Sequence, residues 1–542
     1  MRDAYAAQQE ITQALTDFND GTDFASQQRL KILLQMDQAA QPMQASLCQQ
    51  YLRNPRMSRM IESRLWTAIQ SFSTQMMQAY HAFIMDYVAN PGGSKIATQL
   101  PLLTARALEY LGSIAKWQYF RYEPLDKKMW HNLHNLYRFA EFEEFDRDEV
   151  VLYKDDEQPR STTCADEYLR ILMLNVLHPG SLFPKQIEMA DGWLRGWTRS
   201  LSIERSYDRE SHVFQIKLDE DRGARRIRRP GEDAMQRYWG TGQFCARISE
   251  LLTGLRRGDI AAKAALGEAC RLPVCAEFLE YAILQWSPTG PKRAQRAKER
   301  RKTMKMIEVV REFNDLHHLI RQDNLTATRR PDANPDDGKG ISYDEMLDVR
   351  LYGFVTQRTQ ERRQNHRDES EPVKYKSERW VAEDESEGGF GASIAENQED
   401  WLALDKAFGL KPERGSQWLL GVVRRLSKLE TAQRYVGIEI ISRAPFAVQL
   451  RVPGTRETLT VDGIDPVGAH LPTLGLYLPK SHSNKPFDSI LLLAGEYAKS
   501  KQWELELQGK IYIIEFRGER ETGDTWIRSA FEVKSKRLAS LR

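Results

Sequence analysis

The residues best suited to binding chemistry begin with a cluster of four arginines within ten positions. Arg358 lies four residues before Arg362, and Arg363 lies four residues before Arg367. A guanidinium group stays charged and offers parallel N–H donors in one plane, which suit a phosphate or the edge of a purine. Arginines four apart share one face of a helix, and on an irregular segment they can approach a ligand from two sides. The types and spacing of these arginines are therefore suited to contact with phosphates or purines.

A turn of polar residues and glycines follows the arginine cluster in the sequence. It reads Asp384-Glu-Ser386-Glu-Gly388-Gly389, a D-x-S-x-x-G pattern. The carboxylate accepts hydrogen bonds, the hydroxyl donates or accepts them, and glycine permits a positive φ and the close approach of a flat group. Alone, such a turn is typical of a solvated loop, and a charge cluster is typical of a solvated face. Their order and separation, with a β-rich sequence after them, favour one shared site.

Together the two motifs resemble the PilZ domain, a small six-stranded β-barrel that binds the second messenger cyclic di-GMP. In that family an R-x-x-x-R segment precedes the barrel, and a D/N-x-S-x-x-G turn lies on its surface. Residues 418–426 and 434–441 are predicted strands. They extend the resemblance, because PilZ barrels carry a G-x-V-x-R-like strand followed by one that ends in G-I/V-E-F/I. The resemblance covers about residues 358–450, less than a fifth of the chain.

The resemblance implies a ligand and a set of binding residues. Cyclic di-GMP presents two phosphates and two guanines, and the Hoogsteen edge of guanine offers two acceptors to a guanidinium fork. The four arginines would meet these acceptors and the phosphates, and either arginine pair can be the R-x-x-x-R register. The turn would hold the donor edge of a guanine and let the base approach the backbone. The implied cyclic di-GMP site comprises Arg358, Arg362, Arg363, Arg367, Asp384, Ser386, Gly388 and Gly389.

The acidic residues around the turn favour an alternative. Glu385 follows Asp384 where the family usually has an apolar residue, and Glu383 and Glu387 add negative charge. Like charge near a phosphate lowers affinity. A scaffold whose PilZ-like barrel has lost its ligand is therefore the second interpretation of this region.

Length and composition limit the class of protein. A chain of 542 residues predicts two to four domains, and a net charge of only +2 argues against a general affinity for nucleic acid or anionic membranes. The five cysteines form no CxxC motif, which predicts reduced thiols in a cytoplasmic protein. The sequence has no signal peptide pattern and no apolar run near the roughly 18 residues of a membrane span.

Hydrophobic periodicity predicts a helical N-terminal array followed by a PilZ-like β-barrel and a second small β-barrel or sandwich. Helices are expected up to about residue 330, including 232–252 and 292–321, with one strand at 212–218. A short helix is also expected at 343–360. Short strands are expected at 458–461, 474–478, 490–493, 503–507 and 511–516, and a hairpin at 508–510 is expected between the last two. The predicted domains are a helical domain (1–205), a second helical region with one strand (206–321), a linker (322–342), the PilZ-like barrel with its arginine arm (343–450) and a C-terminal β-domain (451–542).

Two further patterns have simpler explanations. His131 and His134 interleave with apolar residues, so they are typical of an amphipathic helix, and no metal site is expected. The basic run 292–305 lacks the interleaved aromatic residues that stack on single strands. Nucleic-acid binding through this run is therefore the third and least favoured interpretation.

The sequence as a whole predicts a cyclic di-GMP effector or adaptor without catalytic activity. No catalytic residues, cofactor or metal are expected, and the helical N-terminal region is expected to bind a protein partner. Binding of the messenger would be coupled to that partner interaction, because the arm joins the helical region to the barrel.

Overall fold

The chain folds into two compact units, Met1–Arg296 and Ala297–Arg542. The first is mainly helical, and the second contains two closed six-stranded β-barrels. The predicted fold class is therefore confirmed. The computed structural model describes residues 2–21, 26–54, 57–91, 96–153, 159–231, 233–267, 270–291, 301–328, 375–395, 401–413, 415, 417–429, 433–453, 472–497, 502–507 and 510–538.

The helices of the first unit follow the apolar periodicity of the sequence. Helix α3 buries residues spaced by three and four, and it ends where Asn90 caps it. Other helices begin at side-chain caps, including Asp126 before α5, Thr163 before α6 and Asp259 before α9. The described helices are α1 Arg2–Asp20, α2 Ser26–Arg53, α3 Arg59–Ala89, α4 Leu100–Phe120, α5 Lys127–Phe142, α6 Cys164–Val176, α7 Pro184–Trp197, α8 Gly242–Arg257, α9 Ile260–Leu266 and α10 Val274–Trp286.

Helix α4 is buried along nearly its whole length, so its charged residues need partners inside the unit. Arg106 Nη1 lies 3.0 Å from Asp37 Oδ2 on α2. Lys116 Nζ lies 3.2 Å from Asp191 Oδ2 on α7. A buried charge that loses its partner is strongly destabilising. These ion pairs therefore fix how α2 and α7 pack against α4.

Short strands interrupt the helices of the first unit. Residues 232–252 were predicted to be one helix, but β5 occupies part of that range and α8 begins only at Gly242. Strand β5 pairs with the predicted strand β3, so the single strand expected in this region is instead part of a three-stranded sheet. The strands are β1 Val150–Val151, β2 Ser161–Thr162, β3 His212–Lys217, β4 Arg225–Arg226 and β5 Gln236–Gly240.

The prediction of reduced thiols is wrong for two of the five cysteines. Cys270 and Cys275 form a disulfide, and their Cα atoms are 5.1 Å apart. This separation lies in the ordinary range for the bond. Cys48, Cys164 and Cys245 are free. No local pattern predicted this bond, because a turn that brings two cysteines together has no characteristic spacing in the sequence.

The first barrel is closed by antiparallel pairing in the ring order β6-β7-β8-β11-β10-β9. Its interior contains apolar residues that alternate along the strands, as the short β-branched segments predicted. The predicted strands 418–426 and 434–441 are confirmed as β10 and β11. The six strands are β6 Arg301–Val310, β7 Ser377–Ser386, β8 Gly389–Ala395, β9 Ala407–Pro412, β10 Leu419–Lys428 and β11 Gln433–Ser442.

The first strand of this barrel comes from a region predicted to be helical. Residues 301–310 form β6, so the predicted helix 292–321 is wrong there. Helix α11, Phe313–Thr328, then runs into the predicted linker 322–342, whose first seven residues are helical. The barrel therefore begins before the linker and not after it. The predicted helix 343–360 lies outside the described residues.

The second barrel repeats the strand order of the first. Its ring order is β12-β13-β14-β17-β16-β15. Each strand has a number six higher than the strand at the same position in the first ring, so the two orders are identical. Strand β12 begins before residue 451, so the predicted domain boundary cuts through it. The predicted hairpin at 508–510 corresponds to antiparallel pairing of β15 with β16, although residues 508–509 lie outside the described part. The strands are β12 Phe446–Arg451, β13 Thr473–Leu478, β14 Ser489–Leu493, β15 Gln502–Leu507, β16 Lys510–Thr522 and β17 Trp526–Leu538. The predicted strand 458–461 also lies outside the described residues.

Helix α11 joins the two barrels through one apolar cluster. Leu316 and Ile320 of this helix pack with residues of both barrels, including Leu420 and Leu476. His317 Nε2 lies 3.0 Å from the carbonyl oxygen of Val448 on β12. A shared core of this kind makes the two barrels one packed body. Among the described helices of either unit, none combines the length and the apolar character that crossing a membrane requires.

Candidate functional site

The D-x-S-x-x-G motif forms the hairpin between β7 and β8. Asp384 and Ser386 belong to the end of β7, and Gly389 begins β8 directly opposite Ser386. A register shift at Glu383 interrupts the pairing between Ala382 and Asp384. Without this bulge, alternation from the buried Ala382 would turn Asp384 into the barrel. The bulge therefore turns the carboxylate of Asp384 to the outer surface.

Asp384 is held in place by a residue that the sequence did not point to. Tyr435 Oη on β11 donates to Asp384 Oδ2 at 2.9 Å. This contact passes over Gly391, where a Cβ would lie 2.1 Å from the tyrosine oxygen and 2.6 Å from the carboxylate oxygen. Gly391 therefore has to be a glycine for the two side chains to meet. The pairing is between distant strands, so no local pattern could have revealed it.

The two glycines of the motif serve the fold in a different way from the predicted one. Neither has a φ in the left-handed region, so the expected positive φ is wrong. A Cβ on Gly389 would lie 1.9 Å from the carbonyl oxygen of Ile438. The turn is also held by Ile440 N, which donates to the carbonyl of Gly388 at 2.9 Å. Gly389 is thus required by close approach of two backbones. Ser386 Oγ donates within the turn to the carbonyl of Gly389 at 3.3 Å.

The acidic residues around the motif have partners on neighbouring strands. Lys305 Nζ on β6 lies 2.6 Å from Glu385 Oε2. Ser393 Oγ on β8 donates to a carboxylate oxygen of Glu383. Because a cation offsets Glu385 and a hydroxyl binds Glu383, the negative charge facing a ligand is smaller than the sequence suggested. The observation that favoured a barrel without ligand is weakened accordingly.

A row of paired residues crosses the outer wall of the barrel at Asp384. Strand pairing aligns Lys302 with Asp384, Asp384 with Gly391, Gly391 with Gly437, and Gly437 with Arg425. Paired residues point to the same face, and neighbouring strands are about 5 Å apart. Lys302 and Arg425 are both exposed. The row therefore presents a carboxylate between two cations, and the missing side chain at Gly391 makes room for the Tyr435 hydroxyl that binds Asp384.

The sequence-predicted site residues divide into two groups. Asp384, Ser386, Gly388 and Gly389 come together on one hairpin. The arginine arm lies outside the described residues. It comprises Arg358, Arg362, Arg363 and Arg367. Sequence analysis missed Lys302, which it assigned to a helix, and it used Gly437 and Arg425 only as strand residues. The PilZ-like strand pattern contains both Gly437 and Arg425, so it was the sequence feature from which they could have been predicted.

A separate cavity of about 600 Å³ opens elsewhere in the second unit, and residues of both barrels line it. Its lining includes Trp401, Trp526, Arg311 and Lys406. Lys406 Nζ lies 3.6 Å from Asp524 Oδ2. The described residues of the D-x-S-x-x-G hairpin are not part of this lining.

The histidines of α5 have structural surroundings. His134 is buried, with Nδ1 2.8 Å from Tyr168 Oη and Nε2 3.0 Å from the carbonyl oxygen of Arg222. A carbonyl only accepts, so Nε2 carries the proton and Nδ1 accepts from the tyrosine. Burial lowers the pKa of His134 to about 4. His131 Nδ1 lies 3.6 Å from Asp221 Oδ1. Within the described ranges, no group of three or more His, Cys, Asp or Glu residues could hold a metal ion.

Comparison with known families finds a match in the helical unit. Residues 1–208 match the model of the family described as the cyclic-di-GMP receptor FimW, N-terminal domain. The matched segment is similar to that domain. It contains helices α1 to α7 and covers less than half of the chain. A search of curated proteins and a search of solved structures each found no significant match.

Proposed function

We propose that this protein is a cyclic di-GMP receptor and that its first barrel is a PilZ-like domain that binds the dinucleotide on its outer wall. The observation that carries the proposal is the row Lys302–Asp384–Gly391–Gly437–Arg425 across that wall. Support from outside the barrel comes from residues 1–208, which match a family described as a receptor of this ligand. The two lines of support rest on different parts of the chain.

Each group in the row suits one part of the ligand. Asp384 accepts hydrogen bonds from the donor edge of a guanine, and Ser386 can donate or accept beside it. Lys302 and Arg425 are cations on either side of the carboxylate, so each can neutralise one of the two phosphates. Arg425 can also stack on a purine or pair with its Hoogsteen edge. The hairpin therefore recognises the guanine base, and the flanking cations bind the phosphates.

Calorimetric titration of the full chain with cyclic di-GMP tests the hairpin. Asp384→Ala should weaken binding about 10- to 150-fold, because hydrogen bonds to charged groups contribute about 1.5–3 kcal/mol. Arg425→Ala should weaken it at least as much, through a lost phosphate or purine contact. Arg379→Ala is the matched control, since Arg379 is an exposed arginine on the same strand as Asp384. A wild-type chain that gives no heat at tens of micromolar protein refutes the proposal.

The arginine arm requires a separate experiment, because two segments could supply it. Arg362 belongs to the predicted arm, which follows the first strand of the barrel in the sequence. Arg296 and Arg300 are also four residues apart, and they come directly before β6. In the PilZ pattern the arginine pair precedes the barrel. Arg296→Ala with Arg300→Ala should therefore weaken binding more than Arg362→Ala, and the reverse order assigns the contact to the predicted arm.

Two other functions remain as outcomes of the same titrations. A scaffold whose barrel has lost its ligand predicts no binding in any variant. Nucleic-acid binding through residues 292–305 predicts association with single-stranded DNA that weakens steeply with salt. Coupling of the messenger to a protein partner through the helical unit, the lack of catalysis and a cytoplasmic location stay predictions.

A further inference from the structure

The second barrel is built on the same plan as the first, which makes their hairpins comparable. Because the ring orders match, the β13–β14 connection occupies the position that the D-x-S-x-x-G hairpin has in the first barrel. This connection spans residues 479–488 and reads PKSHSNKPFD. It has no D-x-S-x-x-G motif. It carries basic residues instead, Lys480, His482 and Lys485.

This β13–β14 loop lies against the strand that supports the ligand hairpin. Arg443 N donates to the carbonyl of His482 at 2.8 Å, and Asn484 N donates to the carbonyl of Ile441 at 3.3 Å. Asn484 Nδ2 donates to Glu439 Oε1 at 2.9 Å. In the pairing of β8 with β11, Glu439 is the partner of Gly389, the last residue of the motif. The loop of the second barrel is thus one strand away from the motif of the first.

Arg443 connects the two barrels directly. While its backbone binds the β13–β14 loop, its side-chain Nη2 donates to the carbonyl of Glu387 at 2.6 Å and approaches that of Ser386 at 3.5 Å. These carbonyls belong to the D-x-S-x-x-G turn itself. One residue therefore holds the turn and the loop at a fixed distance from each other.

The charge of the β13–β14 loop is complementary to the acidic first hairpin and to an anionic ligand. The first hairpin carries four carboxylates between residues 383 and 387. A cyclic dinucleotide adds two phosphate charges, so binding beside these carboxylates needs cations close by. Lys480 is exposed and Lys485 is partly exposed, and both lie in the adjacent loop. A lysine side chain placed there can reach over the turn to a phosphate.

We propose that the second barrel completes the cyclic di-GMP site, with its β13–β14 loop as a second wall. Lys480 and Lys485 contact the phosphates, and Arg443 is the positioning residue that holds the D-x-S-x-x-G turn against the loop. This inference rests on the proposed function. It assigns a role to a barrel that has the fold of the first but not its motif.

Titration of the full chain with cyclic di-GMP tests the loop. Lys480→Gln combined with Lys485→Gln should weaken binding about tenfold and should make its salt dependence less steep, because fewer cations meet phosphate. The matched control is Lys534→Gln with Lys536→Gln, which removes two exposed lysines from β17 of the same barrel. The control should bind like the wild type. Equal affinity and equal salt dependence in both double variants overturn the inference.

The role of Arg443 is tested by a conservative pair and by hydrogen exchange. Arg443→Ala should weaken binding about tenfold, and Arg443→Lys should restore part of it, since an ammonium can still donate to Glu387. Cyclic di-GMP should also slow exchange in residues 479–488 of the wild type but not of Asp384→Ala. If the wild-type chain binds the ligand but hydrogen exchange in residues 479–488 is unchanged, the β13–β14 loop is not part of the site, and the proposed function is unaffected. A wild-type chain that does not bind removes both.

Discussion

A methyl group at Gly389 should separate two strands of the first barrel. The Cβ of Gly389→Ala would lie 1.9 Å from the carbonyl oxygen of Ile438 and 3.0 Å from its carbonyl carbon. An ordinary contact between such atoms needs about 3.5 Å. The obstacle is backbone, so no side-chain rotation can relieve it. At the neighbouring Gly388 a Cβ would meet nothing within 4 Å, and its φ lies outside the left-handed region. Gly388→Ala is therefore the matched control.

The expected destabilisation combines two contributions. Forcing a methyl group into a packed position costs about 1–3 kcal/mol. Separating β8 from β11 also strains the hydrogen bond from Ile440 N to the carbonyl of Gly388, which contributes about 0.5–1.5 kcal/mol. The free energy of unfolding should fall by about 2–4 kcal/mol in Gly389→Ala. For a unit of this size that lowers Tm by about 5–15 °C. Gly388→Ala should stay within about 0.5 kcal/mol of the wild type.

Differential scanning calorimetry of the full chain measures both variants in one series. The affinity for cyclic di-GMP should fall in Gly389→Ala as well, because the displaced turn carries Ser386. Two results contradict the reasoning. If Gly389→Ala melts with the wild type, the two backbones are not in close contact. If Gly388→Ala is as destabilised as Gly389→Ala, the turn needs glycine for its φ after all.

Two further predictions concern the helical unit. Lowering the pH from 7 to 5 should destabilise it by about 2 kcal/mol more in the wild type than in His134→Gln. The buried imidazole has a pKa of about 4 in the folded chain, against 6.5 for an ordinary histidine. Between pH 7 and pH 5 the unfolded chain therefore binds more protons than the folded chain, and the free energy of unfolding decreases as the pH is lowered. Guanidinium unfolding at pH 7, 6 and 5 measures this, and parallel pH profiles would contradict it. Asp191→Ala should lower the free energy of unfolding by about 3–5 kcal/mol, because it leaves Arg170 and Lys116 buried without their shared carboxylate. Urea unfolding measures this change, and a decrease below about 1 kcal/mol would contradict the prediction.

The sequence predicted the strands that carry a two-residue alternation or a run of β-branched residues. Strands β10 and β11 are such runs, and both are confirmed within two residues. Strand β6 was missed because its first half is basic and exposed, which is typical of a solvated helix. Only Ile307, Val309 and Val310 are buried in it. Ile307 and Val309 alternate with Glu308, and this short alternation was the available signal.

The candidate site was predicted in its motif but not in its surroundings. Asp384 and Ser386 were identified because their types and spacing are local features of the chain. Tyr435 and Arg443 were not, because each meets the turn only through pairing between strands far apart in sequence. Such nonlocal partners decide where a carboxylate points, and one sequence does not specify them.

The connection between the two barrels is short, so a ligand bound at the proposed site would act on both barrels. Strand β11 pairs with the motif strand β8, ends at Ser442, and leads through three residues into β12 at Phe446. A connection this short cannot absorb a movement of β11 without moving β12. Arg443 lies at its start and binds both the turn and the opposite loop. A ligand that draws the D-x-S-x-x-G turn outward must therefore either break these bonds or carry the second barrel with it. If the proposed ligand binds one of these arrangements more tightly than the other, it shifts the population toward that arrangement, which is the requirement for a receptor that changes state.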